Sequence, residues 1–177
     1  MQRDFPRPQA GFTLIELVII ILIIGVLTIF ALPKFDQSGA QVAAVAKKLT
    51  EDLRYAQGRA VATQIPHGVV FSGCTGGNCT QYRIAEFDAA GMPTVSAKDP
   101  LTGQDFVVEM TGPFDQVILD TTLPNQQAYF DWTGSPFAGP GVTLTAATNA
   151  ITVQAGVHNC PLTITVTTGL ITPGSCS

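Results

Sequence analysis

The sequence predicts an α+β chain in which one long N-terminal helix, half apolar and half amphipathic, packs on an antiparallel β-sheet domain. Three observations predict it. Residues 17–32 read LVIIILIIGVLTIFAL, an almost unbroken apolar run. From residue 36 to about 63, Val42, Val45, Ala46, Leu49, Leu53, Ala56 and Ala60 recur at spacings of three and four, the period of a helix with one buried face. Beyond Pro66 the chain becomes rich in Thr and Val, with Val, Ile and Leu alternating with Thr or other polar residues, and Gly and Pro punctuate it, the mark of short half-buried strands joined by tight turns.

The apolar run, extended back to Phe12, supplies the roughly 20 residues that cross a bilayer core of about 30 Å. A polar stretch, MQRDFPRPQAG, precedes it, a carboxylate (Glu16) sits one turn inside it, and Pro33 stands at its far end. An export signal cut after its apolar region needs a small-residue site, and Ile29-Phe30-Ala31 is a poor one. Neither that reading nor a simple uncut anchor explains Glu16, since a charge deep in hydrocarbon costs about 2.5–3.5 kcal/mol on insertion scales. A carboxylate reaching up to the headgroups is the structural alternative. Arg3 and Arg7 before the run place the leading end in the cytoplasm and the rest outside.

Gly11-Phe12-Thr13-Leu14-Ile15-Glu16 resembles the type IV prepilin motif: a small residue, an aromatic, then Glu at the fifth position after the cut, followed by an apolar run. The resemblance implies cleavage after Gly11 by an inner-membrane prepilin peptidase and N-methylation of Phe12. Glu16 would then pair with the Phe12 ammonium of a neighbouring subunit. Each charge is costly alone in apolar surroundings, so the pair acts as a registration device. Gly25 and Pro33 fall where type IV pilins carry helix-weakening residues; Pro33 lacks a backbone donor and strains the preceding turn. The same proline also suits a simple membrane exit. The expected organisation is a leader peptide (1–11), a transmembrane and assembly helix (12–35), an amphipathic helix (36–66) and a β-rich periplasmic domain of the pilin fold (67–177).

In the amphipathic helix, Lys47, Lys48, Glu51, Asp52, Arg54 and Arg59 lie mostly off the apolar stripe and read as a solvated face, with Lys47 and Glu51 placed for an i,i+4 pair. Gln64-Ile65-Pro66 ends the helix, because the residue before proline disfavours helical geometry. Strands are expected at 67–72, 81–87, 105–110, 116–119, 128–132, 142–145, 151–154 and 162–167. Gly134, Pro136, Gly139, Pro140 and Gly141 mark a loop before the last three of them.

Four cysteines on the exported side of an anchor suggest disulfides. Of three possible pairings the most local, Cys74 with Cys79 and Cys160 with Cys176, is the favoured one. Cys74-Thr-Gly-Gly-Asn-Cys79 then reads as a clipped hairpin tip. A zinc site is disfavoured because CxxC spacing is absent and only His67 and His158 are at hand.

Residues 48–57 (KLTEDLRYAQ) and Ala60, the segment FDWTGSP at 130–136, and residues 162–171 resemble the GspH/FimT group of minor pilins and pseudopilins, with a likeness also to MshC of MSHA-type pili. The resemblance implies a minor pilin or pseudopilin in a type IV pilus or type II secretion pseudopilus. Its partners would be other pilin or pseudopilin subunits, the prepilin peptidase and methyltransferase, and the inner membrane with its assembly platform. A filament-displayed adhesion or binding subunit, or a major pilin, is the alternative.

Charge and motif limit other functions. Net charge is -4, and beyond Arg59 only Arg83 and Lys98 are basic, against eight acidic residues. Nucleic acid is a disfavoured partner, since binding a duplex takes clustered Lys and Arg. Some competence-type members of the group it resembles bind DNA through basic residues near the C-terminus, yet residues 159–177 hold neither Lys nor Arg. No GxSxG, HExxH, P-loop or CxxC occurs, so no catalytic residue, cofactor or metal is expected. His67 and His158 read as structural or solvated residues on strand edges or loops. Asp115 and Asp120 read as turn residues flanking a strand.

Overall fold

The computed structural model describes residues 13–31, 37–145 and 150–177. The chain divides into two units, Met1–Asp36 and Gln37–Ser177. Of the first, helix α1 (Leu14–Ala31) is described. Gly11, Phe12, Pro33 and the expected helix start at Asp36 lie outside the described residues.

The second unit begins with α2 (Ser38–Thr63). Its predicted stripe is its buried face: Val42, Leu49, Leu53, Ala56 and Ala60 are fully enclosed. Burying a leucine stabilises by about 1.5–3 kcal/mol, so the stripe holds the helix in place. Gln64 turns left-handed at φ 60°, and α2 stops there, two residues before Pro66.

Eleven strands follow among the described residues: β1 (His67–Ser72), β2 (Asn78–Cys79), β3 (Gln81–Phe87), β4 (Pro93–Ser96), β5 (Val107–Glu109), β6 (Ile118–Thr121), β7 (Gln127–Phe130), β8 (Pro136–Phe137), β9 (Ala150–Ala155), β10 (His158–Ile164) and β11 (Ile171–Pro173). They form two antiparallel sheets. One runs β4-β3-β1-β7-β8, with β5 also on β3; the other runs β11-β10-β9-β6-β2. The α2 stripe packs against strands of both sheets, and Val69, Tyr82, Ile84, Phe130, Leu119, Ile151, Val153, Leu162, Ile164 and Ile171 join it in one core. Because side chains alternate across a strand, the far face of the first sheet carries its own small cluster, Ala85, Phe87 and Tyr129, with Val70 and Phe137 against it.

Strands β1 and β3 have the predicted bounds, and several others do not. Residues 142–145 form no strand: Leu144 is buried, and Thr143 makes one isolated bridge to Phe137. The Gly- and Pro-rich loop instead contains β8, because Phe137 pairs with Tyr129 and stacks on its ring at 5.3 Å. Strand β7 stops at Phe130, since Asp131 turns the chain. Strand β10 begins at His158 and ends at Ile164, as Thr165 accepts a turn bond from Gly169 instead of continuing the ladder. The short strands β2, β4 and β11 offer too few alternating residues to show a period-two signal.

Both disulfides join the local pairs, Cys74–Cys79 and Cys160–Cys176. The first clips the turn after β1, and β2 within it pairs with β6 of the second sheet, so the hairpin tip links the two sheets. The second fastens the C-terminal segment to β10, reinforced by paired bonds between the backbones of Asn159 and Ser177.

Candidate functional site

The sequence points to α1 as the functional segment. From Leu14 to Val26 every residue is exposed in the isolated chain, including Leu14 at 82% and Leu22 at 64%. A helix apolar all round requires lipid or other apolar chains to cover it. Among the described residues, no helix is long and apolar enough to cross a membrane.

Glu16 occupies the first turn of α1, at the positive end of the helix dipole. Its backbone N–H donates to the Thr13 carbonyl at 3.1 Å and to Thr13 Oγ1 at 3.3 Å. Thr13-Leu14-Ile15-Glu16 is therefore the Ser/Thr-x-x-Glu spacing of an N-terminal capping box, a local signal that accompanies the functional reading of Glu16. The cap fixes the start of the helix within one turn of Phe12. At Gly25 an added Cβ would meet nothing within 4 Å, so the missing side chain leaves that turn open to a neighbouring surface.

In the globular unit, the residues that the sequence marks in α2 bind the two sheets together. The Arg54 guanidinium donates to the Ile171 carbonyl at 3.0 Å. Tyr55 stacks on Phe106 with ring centres 5.8 Å apart. Gln57 Nε2 donates to the carbonyls of Gly134 at 2.9 Å and Thr168 at 3.2 Å. The FDWTGSP segment is the other half of that contact. Asp131 Oδ1 accepts from the N–H groups of Thr133 and Ser135 and from Thr133 Oγ1, folding a tight turn that aims Gly134 at Gln57. Gly169 completes the junction: its φ is +66°, and a Cβ would lie 2.6 Å from Gln57 Nε2 and 2.7 Å from the Gly134 oxygen.

The charges of α2 divide between surface and interior, which corrects the solvated-face reading. Lys47 and Glu51 do form an exposed pair at 4.0 Å. Asp52, however, is buried: it accepts from the Tyr82 hydroxyl at 2.6 Å and from Lys48 Nζ at 3.0 Å. The Lys48 ammonium also lies 5.3 Å from the centre of the Phe106 ring. Burial and then the Asp52 carboxylate push the Tyr82 phenol far above its usual range. This network eluded sequence reasoning because Asp52 borders the stripe; the partner that draws it inward lies 30 residues away.

His67 is not on a strand edge. It is wholly buried in β1, between β3 and β7. Its Nδ1 lies 2.7 Å from the Ile65 carbonyl, and its Nε2 lies 3.4 Å from Arg59 Nε and 3.7 Å from Glu86 Oε1. Asp120 is likewise inside β6, opposite Asn78 and Thr152, while Asp115 caps a short 3-10 turn. Among the described residues, no group of three or more His, Cys, Asp or Glu could hold a metal ion.

An exposed apolar helix headed by Thr13 and Glu16, together with a second helix packed on two antiparallel sheets, is the arrangement that the prepilin resemblance implies. Residues 6–32 match the prokaryotic N-terminal methylation motif. Among solved structures, the fold is similar to that of the minor pseudopilin EpsH from the type 2 secretion system of Vibrio cholerae. That likeness has a TM-score of 0.54 at 12% identity, over 76% of this chain and 97% of that one. No curated protein matches the sequence. The motif is that of prokaryotic N-terminal methylation, and the structural likeness is one of fold.

Proposed function

We propose that the chain is cut after Gly11, N-methylated on Phe12, anchored in the inner membrane by residues 12–35, and assembled as a minor subunit of a type IV pilus or type II secretion pseudopilus. The observation that carries this reading is the coincidence of the methylation motif with an apolar helix, exposed from Leu14 to Val26, whose only charge is Glu16. The sequence supports the anchor, since the apolar run continues through both Phe12 and Leu32. In the filament, Glu16 pairs with the Phe12 ammonium of the next subunit. A subunit one step out of register would leave both charges bare in apolar surroundings, so the pair selects the stagger rather than adding much net stability. The inner-membrane assembly platform is the machine that would load it. The globular unit would serve as the displayed head, its packing directed to rigidity rather than to catalysis.

The test is the mature N-terminus. Co-expression with a prepilin peptidase should yield a chain that begins at Phe12 and is heavier by one methyl group, read by intact-mass and N-terminal peptide spectrometry. Retention of residues 1–11, or a start elsewhere, overturns the reading.

A further inference from the structure

The far face of the first sheet carries a row of aromatic rings. Phe87 stacks on Tyr129 at 4.7 Å and Tyr129 on Phe137 at 5.3 Å. Strand β1 runs between β3 and β7, and the rings meet across it because residue 68 is glycine; a Cβ there would collide with Ala128 and Tyr129. At the end of this row lies a cavity of about 440 Å³, lined by Tyr129, Phe137, Trp132, Asp88, Asp131 and Gly141.

Both carboxylates are fixed by one oxygen. Asp88 Oδ1 accepts from the N–H groups of Ala90 and Met92, and Asp131 Oδ1 holds its own turn. Among the described residues, neither is in an ion pair, and the second oxygen of each has no hydrogen-bond partner. No Lys or Arg lines the cavity. Both carboxylates line the cavity beside Tyr129, whose phenol is pushed up by its burial and then by the charges of Asp131 and Asp88. Trp132 is 56% exposed at the wall, and Met92 and Val142 are further exposed apolar residues of this unit.

We propose that this cavity binds a primary alkylammonium group, the chemistry of a lysine side chain on a partner protein. The ammonium would donate to the free oxygens of Asp88 and Asp131, and its methylene stem would lie along Trp132 and Phe137. A cation held between aromatic carbon and two carboxylates gains from both. A neutral sugar fits less well, because it brings no charge to set against the two carboxylates. The site lies wholly in the globular unit, away in sequence from the processed N-terminus.

Trp132 is the only tryptophan in the chain, so its emission reports on the cavity directly. The full chain in a nonionic polyoxyethylene detergent would be titrated with n-butylammonium and with Nα-acetyl-lysine methylamide, at matched ionic strength. Saturable emission changes are expected for both and none for 1-butanol. Asp88→Asn, which keeps an oxygen to hold its turn, should weaken binding by about fivefold or more. Should that variant fold poorly, the wild-type salt dependence decides instead: binding must weaken as sodium chloride rises. The proposal is overturned by no saturation up to about 100 mM, by an equal response to 1-butanol or glucose, or by affinity insensitive both to Asp88→Asn and to salt.

Discussion

The Tyr82 hydroxyl donates a 2.6 Å hydrogen bond to Asp52, joining the start of β3 to the middle of α2 inside the core. Lys48, one turn before Asp52, supplies the compensating charge from the surface side, half exposed itself. Tyr82→Phe should therefore leave Asp52 with one partner and cost about 1–3 kcal/mol. Asp52→Leu should be harsher than Asp52→Asn, since it strands both the tyrosine hydroxyl and the lysine. Urea unfolding of the full chain in detergent, followed by Trp132 emission, measures each; equal stability of Tyr82→Phe and wild type would show the bond to be idle.

The same pair makes the fold sensitive to alkali. The phenol of Tyr82 ionises at 10.0 when unhindered and well above that in the folded chain. Above about pH 10 the unfolded chain gives up this proton and the folded chain keeps it. The folded state then binds more protons, so stability is whole below pH 10 and is lost as pH rises beyond it. A melting series from pH 8 to about pH 11 should fall more steeply for wild type than for Tyr82→Phe.

Gln57 ties the turns at Gly134 and Thr168 to the helix. Gln57→Ala should destabilise by about 1–2 kcal/mol through two lost carbonyl partners. Gly169→Ala should cost more, because the new Cβ meets Gln57 and the Gly134 oxygen in a left-handed backbone that disfavours any side chain. If thermal melts rank the two in the reverse order, the junction is looser than its distances indicate.

Glu16 sits in both a cap and a proposed registration pair, and substitutions can separate the two. Glu16→Gln retains a side chain suited to the capping box but removes the charge. It should be processed normally and enter filaments poorly, as should Glu16→Ala. Thr13→Val, which loosens the cap and spares the charge, should enter filaments better than either. Sheared-filament immunoblots against total cell protein give the comparison.

The disulfides should differ in weight. Cys160–Cys176 spans 16 residues and Cys74–Cys79 only five, so loop-closure entropy favours the former by about 1 kcal/mol. Replacing Cys160 and Cys176 with Ser should lower the melting temperature more than replacing Cys74 and Cys79.

The amino-acid sequence by itself determined the elements whose signals are local and repeated: the apolar run around Glu16, the stripe from Val42 to Ala60, the stop before Pro66, and strands β1 and β3. These follow from side-chain periodicity and the geometry of proline, which act within a few residues. Only the tertiary structure decided which polar groups lie inside. Asp52 reads as a surface charge until Tyr82 arrives from a strand, and His67 reads as an edge residue until β7 covers it. It also decided that Asp88 and Asp131, distant in the chain, face one cavity beside Trp132. Those outcomes depend on desolvation and partner geometry across the core, which no local pattern of residues encodes.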